Sequence, residues 1–373
     1  MEKTDFNWSE TDVKYMQEAI ALAERGRGFT APNPVVGCVL VKDDRTIGRG
    51  WHRRYGGLHA EREALADCHT DPAGATAYVT LEPCCHHGKQ PPCTDALLAA
   101  GISRVVVGLV DPNPLVSGKG IRILRDHGVT VETGLLDEQI RRQNRIFLKY
   151  ISGRRPWVTL KVAMTLDGKI ATAGGDARWV SSPESRTLVH QLRGTHTGIC
   201  VGAGTVRADD PMLDCRLDGL HNPVRLLPDS RASLPPESRI AQSAARIRTI
   251  LVHTEAADPA RLERLRALGV ETLACAESAG GIGLDDMLGR LGAMGIDSIL
   301  LEGGEELNGS FAAQGLIDEY YFFIAPKILG GRDAKTAVGG VGFQRMAEAL
   351  DINIESVTRS GPDLLIHGFP KNR

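Results

Sequence analysis

The sequence predicts an α/β protein of two domains, and three observations carry that expectation. At 373 residues the chain is too long for one ordinary core. Apolar segments of strand character alternate with segments of helical period along most of its length, as in an α/β layer fold. Gly153-Arg154-Arg155-Pro156 interrupts that alternation and sets the expected boundary, with domains at 1–152 and 153–373.

In the first domain, Ser9 or Thr11 can cap a helix whose apolar stripe is Val13, Met16, Ala19, Ile20 and Ala23. Residues 35–41 and 46–50 read as two strands joined at Asp43-Asp44, an antiparallel hairpin. A helix is expected to start at His59-Ala60-Glu61. A buried strand follows over ATAYVTL, and after Cys93 a further helix runs over TDALLAAG, ending at Gly101. Residues 104–110 form a strand, RILRDHG a helix, VTVETGL a strand, and LDEQIRRQNRIFLKYISG one closing helix. The sheet is expected to be mixed: antiparallel at the hairpin, parallel where helices link the strands.

The second domain opens with a strand at 158–163 and a turn at Leu166-Asp167-Gly168, then the capped helix SSPESRTLVHQLRG. A strand at 198–202 runs into a glycine-containing turn. PVRLLPDS, RIRTILVHT, GVETLAC and IDSILLEGG are strands, EELNGSFAAQG is a helix, and IDEYYFFIAPKILGG is a long late strand region. INIESVTRSG and DLLIHGF finish the chain as strands, while GLHNPV and ESAGGIGLDD read as loops. Pro228 lacks a ladder donor and is expected at a sheet edge or strand end.

Composition excludes several classes. A hydrophobic fraction of 42% is that of a globular protein, and a formal charge of −2 provides no basic field for nucleic acid. No apolar run reaches membrane-spanning length, and MEKTDFNWSE is not a signal peptide, so a cytoplasmic protein is expected. Eight cysteines, three of them clustered, suit a reducing compartment better than a disulfide framework.

The chemistry concentrates between His59 and Cys93. His59-Ala60-Glu61, Pro83-Cys84 and Pro92-Cys93 offer an imidazole, two thiols and a carboxylate within one short unit, with eight residues between the cysteines. Imidazole and thiolate are zinc ligands, and a catalytic zinc keeps its fourth position for water. Glu61, two residues from His59, can carry protons without being a ligand, which is the arrangement of zinc deaminases. A structural zinc would recruit a fourth protein ligand and have no use for Glu61. Cys85, His86 and His87 are rival ligands; the proline before Cys84 favours Cys84. The metal would therefore lie at two helix N-termini, whose positive ends favour thiolate. Asn33, between two prolines, suits holding a base edge or a plain turn, and His52 points towards the His59 segment.

In the second domain, GAGTVR lacks the third glycine of a dinucleotide fingerprint. EGGEEL is the better pyrophosphate candidate, a strand and two glycines ahead of a helix N-terminus. Arg193, Arg207, Arg216 and Arg225 surround this region and could clamp a phosphate.

Taken together, PNPVVGCV, HAE, TLEPCCHHGKQPPC and DPNP resemble the deaminase half of the bifunctional riboflavin-biosynthesis deaminase/reductase family. KVAMTLDGKIAT, GDARW, VGAGTVRADDPMLDCR, LLEGG and IAPKILGG resemble its reductase half, in the family's order. The resemblance implies an N-terminal cytidine-deaminase-like three-layer domain and a C-terminal dihydrofolate-reductase-like domain. It also implies Zn2+ and NADPH as cofactors, a pyrimidine ribosyl phosphate as small-molecule substrate, and a homo-oligomer. Carried over residue by residue, His59, Cys84 and Cys93 bind zinc and Glu61 is the proton carrier. Asn33, His52 and Lys89 contact the deaminase substrate. Ala163, Trp179, Thr205, Asp209, Ser230, Gly304, Glu305, Glu306, Leu307, Asn308, Gly309 and Ser310 match cofactor contacts. Lys161, Arg193, Leu213, Arg216 and Glu302 match contacts to the reductase substrate. Three positions depart from the family: Gln90 stands where threonine is usual, Cys85 where a small polar residue is common, and Ala177 where a serine is often placed. The alternative is a zinc nucleobase deaminase with a non-catalytic second domain.

Overall fold

The computed structural model describes residues 8–88, 90–278 and 281–371. The chain divides into two compact units, Met1–Arg154 and Arg155–Arg373.

The first unit begins with α1 (Glu10–Glu24). Its capping box closes at Ser9: the Ser9 hydroxyl accepts from Asp12 N, and Asp12 reaches back to Ser9 N. β1 (Gly37–Lys42) and β2 (Arg45–Trp51) form the expected hairpin, with Asp43 and Asp44 both at positive φ in its turn. Then come α2 (Ala60–Ala66), β3 (Thr76–Leu81), α3 (Cys93–Ala99), β4 (Arg104–Leu109), α4 (Lys119–Asp126) and β5 (Thr130–Thr133). The sheet order is β2-β1-β3-β4-β5, antiparallel through β2-β1-β3 and parallel through β3-β4-β5.

Side chains alternating along these strands fill two cores. Cys38, Leu40, Ala77, Val79, Val105 and Val107 pack with Ala60, Ala64, Leu97 and Leu124 of α2, α3 and α4. Val39, Val41, Tyr78 and Val106 pack with Met16, Ala19, Ile140 and Phe147 on the other face. This is a three-layer unit.

The stretch expected as one closing helix is two, α5 (Asp137–Gln143) and α6 (Arg145–Gly153). Asn144 sits between them at φ −101, ψ 18. Its buried amide accepts from Val35 N at 3.0 Å and donates to Val35 O at 3.1 Å. Those two bonds satisfy the backbone of the segment entering β1, and holding the amide there breaks the helix.

The second unit contains β6 (Trp157–Thr165), β7 (Lys169–Ala171), α7 (Pro183–Thr195), β8 (Gly198–Cys200), α8 (Ala203–Asp209), β9 (Val224–Pro228), α9 (Arg239–Gln242), β10 (Thr249–His253), α10 (Pro259–Ala267) and β11 (Glu271–Ala274). After them come β12 (Glu277–Ser278), β13 (Gly281–Ile282), α11 (Leu284–Ala293), β14 (Ser298–Leu301), α12 (Glu305–Ala313), β15 (Glu319–Ala325), β16 (Lys335–Thr336), β17 (Ile352–Ser360) and β18 (Asp363–Pro370). Its nine-stranded sheet runs β11-β10-β9-β8-β14-β6-β15-β18-β17. The sheet is parallel up to β15, and β18 and β17 are added antiparallel. Val158, Leu160, Ile299 and Leu301 of the central strands are fully buried among Met287, Leu291 and Phe311 of α11 and α12.

Several expectations are corrected. Residues 203–209, expected as a turn, form α8, and the second half of ESAGGIGLDD opens α11. α9 and α10 occupy stretches where no helix was expected, although Asp258 capping Ala260 N ahead of Pro259 is a readable start signal for α10. The late strand stops at Ala325 because Pro326 follows, and Leu329 and Gly330 donate to the Asp167 carboxylate. Pro228, by contrast, falls as expected at a strand end, the last residue of β9, inside the sheet.

Candidate active sites

In the first unit, α2 lies directly on β2. A Cβ at Gly50 would fall 2.2 Å from Ala60 O and 2.3 Å from Ala64 N, so only glycine lets the helix start this close to the sheet. That approach sets His59, the N-cap of α2, opposite the end of β3. Pro92 is the N-cap of α3 and Cys93 its first residue. Cys93 N donates to Cys84 O at 3.0 Å and to Cys84 Sγ at 3.3 Å, folding the intervening loop back on itself.

Both Cys84 Sγ and Cys93 Sγ stand 3.4 Å from His59 Nδ1. The three donor atoms lie within 4.8 Å of one another. A tetrahedral ion with bonds of roughly 2.3 Å to sulfur and about 2.0–2.1 Å to nitrogen requires N···S separations of roughly 3.5 Å. The donor set therefore fits zinc, with His59 presenting Nδ1. The neighbouring Cys93 thiol and His59 both favour thiolate at Cys84, lowering it to about 4. Of the rival ligands, Cys85 turns towards Leu115 O and His87 is exposed.

Glu61 is 3% exposed. Burial, and then the charge of Cys84, push its carboxyl up to about 6. It hydrogen-bonds with Cys93, beside the donor cluster. His52 sits edge-on to His59, with ring centroids 5.3 Å apart. Its Nδ1 is 2.9 Å from Leu58 O and must donate there, so Nε2 accepts from Asn33 Nδ2 at 3.3 Å. Burial lowers the His52 pKa and keeps the ring neutral. Asn33 is thereby oriented by a buried imidazole.

A cavity of about 370 Å³ is lined by Asn33, His52, His59, Glu61 and Cys84. Lys89 lies outside the described residues. The cavity is also lined by Glu82, His86, Gln90, Asp111, Asn113 and Tyr150, which the residue reading did not place there. Gln90 donates to Gly56 O at 3.2 Å, a bond a threonine side chain is too short to reproduce from the same backbone. Asp111 is pushed up to about 6 by burial, then by the nearby charges of Glu82 and Cys84. The signal for Asp111 and Asn113 was the DPNP motif, a second Pro-Asn-Pro directly after a strand.

In the second unit a cavity of about 870 Å³ opens over the ends of β6, β8 and β14. It gathers Lys161, Ala163, Trp179, Arg193, Thr205, Asp209, Leu213, Arg216, Glu302, Gly304, Glu305, Glu306, Leu307 and Asn308. Ser230, Gly309 and Ser310 do not line it. Gly309 packs on the Gly339 backbone, and the Ser310 hydroxyl donates to Glu306 O. At the cavity floor, Glu302 accepts from Arg193 Nε at 2.7 Å, Arg193 Nη2 at 2.9 Å and Lys161 Nζ at 2.8 Å. Burial raises its pKa, but the charges of Arg193 and Lys161 outweigh that and hold the carboxyl well below the usual range.

Leu213 is buried at φ 53, and the carbonyls beside it are held by Arg225 (Met212 O, 3.3 Å) and Arg193 (Asp214 O, 3.2 Å). Arg225 is no surface clamp. It is fully buried, and its donors go to Met212 O, Ile240 O, Ile247 O, Ser243 and Thr249. Arg207 donates to Ser233. Ala177 lines the cavity without a hydroxyl to offer. His190, Arg186 and Arg178 line it as well, and the Arg186 guanidinium lies 4.5 Å from the Trp179 ring centroid. His190 and Arg186 stand three and seven residues before Arg193 on α7, the spacing of one helix face.

A His–Cys–Cys donor cluster beside a buried glutamate, in a three-layer α/β unit, defines the class of zinc-binding deaminases. Residues 9–109 match the model for the cytidine and deoxycytidylate deaminase zinc-binding region, and residues 156–366 match the RibD C-terminal domain. The chain is 46% identical over 356 residues to the riboflavin biosynthesis protein RibD of Actinobacillus pleuropneumoniae, covering 95% of this chain and 94% of that one. It is 39% identical to the RibD protein of Escherichia coli, covering 95% and 98%. Among solved structures it resembles Acinetobacter baumannii RibD (TM-score 0.88, 37% identity, 97% and 99% covered). It also resembles a diaminohydroxyphosphoribosylaminopyrimidine deaminase/5-amino-6-(5-phosphoribosylamino)uracil reductase from Thermotoga maritima (TM-score 0.85, 36% identity, 97% and 99% covered). The chain belongs to the RibD family and is a bifunctional enzyme of riboflavin biosynthesis, a deaminase joined to a reductase. Matches to both halves favour this over a deaminase with a non-catalytic second domain. Among the described residues, no helix is long and apolar enough to cross a membrane.

Proposed function

We propose that the first unit deaminates a 2,5-diamino-6-(5-phosphoribosylamino)pyrimidinone with zinc held by His59, Cys84 and Cys93. The observation that carries this is the 3.4 Å spacing of His59 Nδ1 from both thiol sulfurs, beside a buried Glu61. Zinc, when bound, supplies the Lewis acid that makes water a nucleophile near neutral pH. Glu61, with its pKa raised to about 6, takes one proton from the attacking water and gives it to the ring nitrogen, then takes the second proton from the added hydroxyl and gives it to the departing amine. The ring gains the water oxygen and ammonia leaves. Asn33, fixed by neutral His52, holds the base edge, and the family likeness carries a further substrate contact to Lys89.

The second unit then reduces the ribosyl chain to ribityl. NADPH, when bound, supplies the hydride for C1 of the opened sugar. Ala163, Trp179, Thr205, Asp209 and the run from Gly304 to Asn308 line the cavity and hold the cofactor, while Gly309, Ser310 and Ser230 match family cofactor positions without lining it. Lys161, Arg193, Leu213, Arg216 and Glu302 hold the sugar phosphate and its imine. Glu302 stays ionised between its two cations and keeps Lys161 in place. The family and the absence of a spanning helix among the described residues support a cytoplasmic enzyme, and the family likeness supports a homo-oligomer.

NADPH oxidation tests both halves at once. With the aminated pyrimidine and with its deaminated product, both should support oxidation, and a zinc chelator should stop only the first. Ammonia release without NADPH oxidation from either compound would remove the reductase assignment.

A further inference from the structure

Glu82 directly follows β3 and directly precedes Pro83-Cys84. It is 4% exposed, and among the described residues no cation pairs with it. Four backbone N–H groups donate to its carboxylate instead. Oε1 accepts from Gly120 at 3.0 Å and Ile121 at 3.3 Å, and Oε2 accepts from Gly118 at 2.9 Å and Asp111 at 3.3 Å. Three of these donors belong to the start of α4, whose own N-cap, Gly118, has no side chain to offer. A serine or aspartate at 118 would cap the helix locally, without a carboxylate being buried away from any cation. The remote carboxylate does something a local cap cannot: it fastens two separate segments together.

A second contact fastens the same two segments. A Cβ at Gly120 would fall 2.2 Å from Pro83 O, so the start of α4 rests directly on the backbone that leads into Cys84. The loop ahead of α4 carries Asp111, Asn113 and Val116. These line the same cavity as His59, Glu61 and Cys84, and Glu82 lines it too. The Asp111 backbone is pinned to Glu82, and the Asp111 carboxylate accepts from Asn113 N at 2.8 Å. Beyond the pairing of β3 with β4, the wall is therefore joined to the Cys84 segment by the Glu82 side chain and by the Gly120–Pro83 contact.

We propose that Glu82 is a positioning residue for deamination: it sets the register between the Cys84 segment and the Asp111–Val116 wall, and through that wall the fit of the substrate. This rests on the deaminase reading above. In Glu82→Gln, an amide NH2 faces two of the four N–H donors, so that side of the interlock opens while Cys84 keeps its place. Gly120→Ala presses first on the other contact, since its Cβ would fall 2.2 Å from Pro83 O and 3.3 Å from Glu82 Oε1, and it leaves the carboxylate itself in place.

The test compares unmodified full-length protein with the two variants for deamination kinetics, zinc per chain, and NADPH oxidation with the deaminated compound. Both variants should raise the deaminase KM by about tenfold, with kcat and zinc content nearly unchanged and the reductase rate untouched. KM values equal to those of the unmodified protein in both variants would overturn the proposal. Loss of zinc and kcat at constant KM would also overturn it, since Glu82 would then serve the metal or the fold. An unmodified, zinc-loaded protein that releases no ammonia would sink the deaminase reading itself, a result distinguishable from either of these.

Discussion

Arg193 grips the carboxylate of Glu302 through two parallel bonds, Nε to Oε1 at 2.7 Å and Nη2 to Oε2 at 2.9 Å. The pair is buried at the floor of the reductase cavity, and Lys161 completes it. Removing the carboxylate leaves two buried cations facing each other. Glu302→Ala should cost the second unit about 3–5 kcal/mol and abolish NADPH oxidation, read by denaturant unfolding and by rate. The folded pKa of Glu302 is depressed, so its stabilisation is present above its unfolded value of about 4.5 and lost as pH falls below it. The gap in stability between the parent and Glu302→Ala should therefore close in acid.

Glu61→Gln keeps shape and ligands but cannot move protons. Zinc content should be unchanged, and deamination should fall by about 10²–10⁴-fold while reduction of the deaminated compound continues. Metal analysis together with an ammonia assay decides this. Normal deamination by the variant would contradict the proton-carrier role.

Cys93→Ser removes one of three donors and should lose zinc and deamination together. The reductase should continue, because Lys161, Arg193 and Glu302 lie in the other unit. If chelation or this variant stopped oxidation of the deaminated compound, the two activities would not be separate.

Arg216→Ala should raise the reductase KM, with deamination untouched. Its guanidinium is exposed and among the described residues its one ion pair is with Asp214 at 3.1 Å, so the variant should fold normally and its thermal midpoint should barely move. Equal damage to both activities would count against the assigned contact.

Asp12 reports on the first unit in acid. It accepts from Ser9, from Tyr78 at 2.8 Å and from Arg104 at 2.7 Å. Burial pushes its pKa up, but Arg104, Ser9 and Tyr78 outweigh that and hold it at about 2. The folded value lies below the unfolded 3.8, so Asp12 stabilises above pH 4 and that contribution disappears as pH falls towards 2. Asp12→Asn should cost on the order of 2 kcal/mol at pH 7 and almost nothing at pH 2, measured by urea unfolding followed through deamination.

The zinc donors were legible because their chemistry is local. His59 and Glu61 share one turn, each cysteine follows a proline, and Cys93 opens a helix. The strands were legible for the same kind of reason, since burial on both faces leaves continuous apolar runs such as VVVGL and SILL. What the residues by themselves determined is therefore most of the strands, the clustering of His59, Cys84 and Cys93, and the two-part α/β plan. Tertiary structure decided the rest, because the decisive partners are remote in sequence. Asn144 breaks α5 from α6 by bonding Val35, which is 109 positions away. Arg225 looked like a phosphate clamp but is spent on neutral acceptors deep in the second core. Asp111 and Asn113 line the deaminase cavity, and the Glu82 carboxylate that accepts from Asp111 N and from Gly120 N at the start of α4 is 29 and 38 positions away. Hydrogen bonds of that range leave no periodicity to read: each donor is satisfied by a group that only the folded chain brings within 3 Å or so.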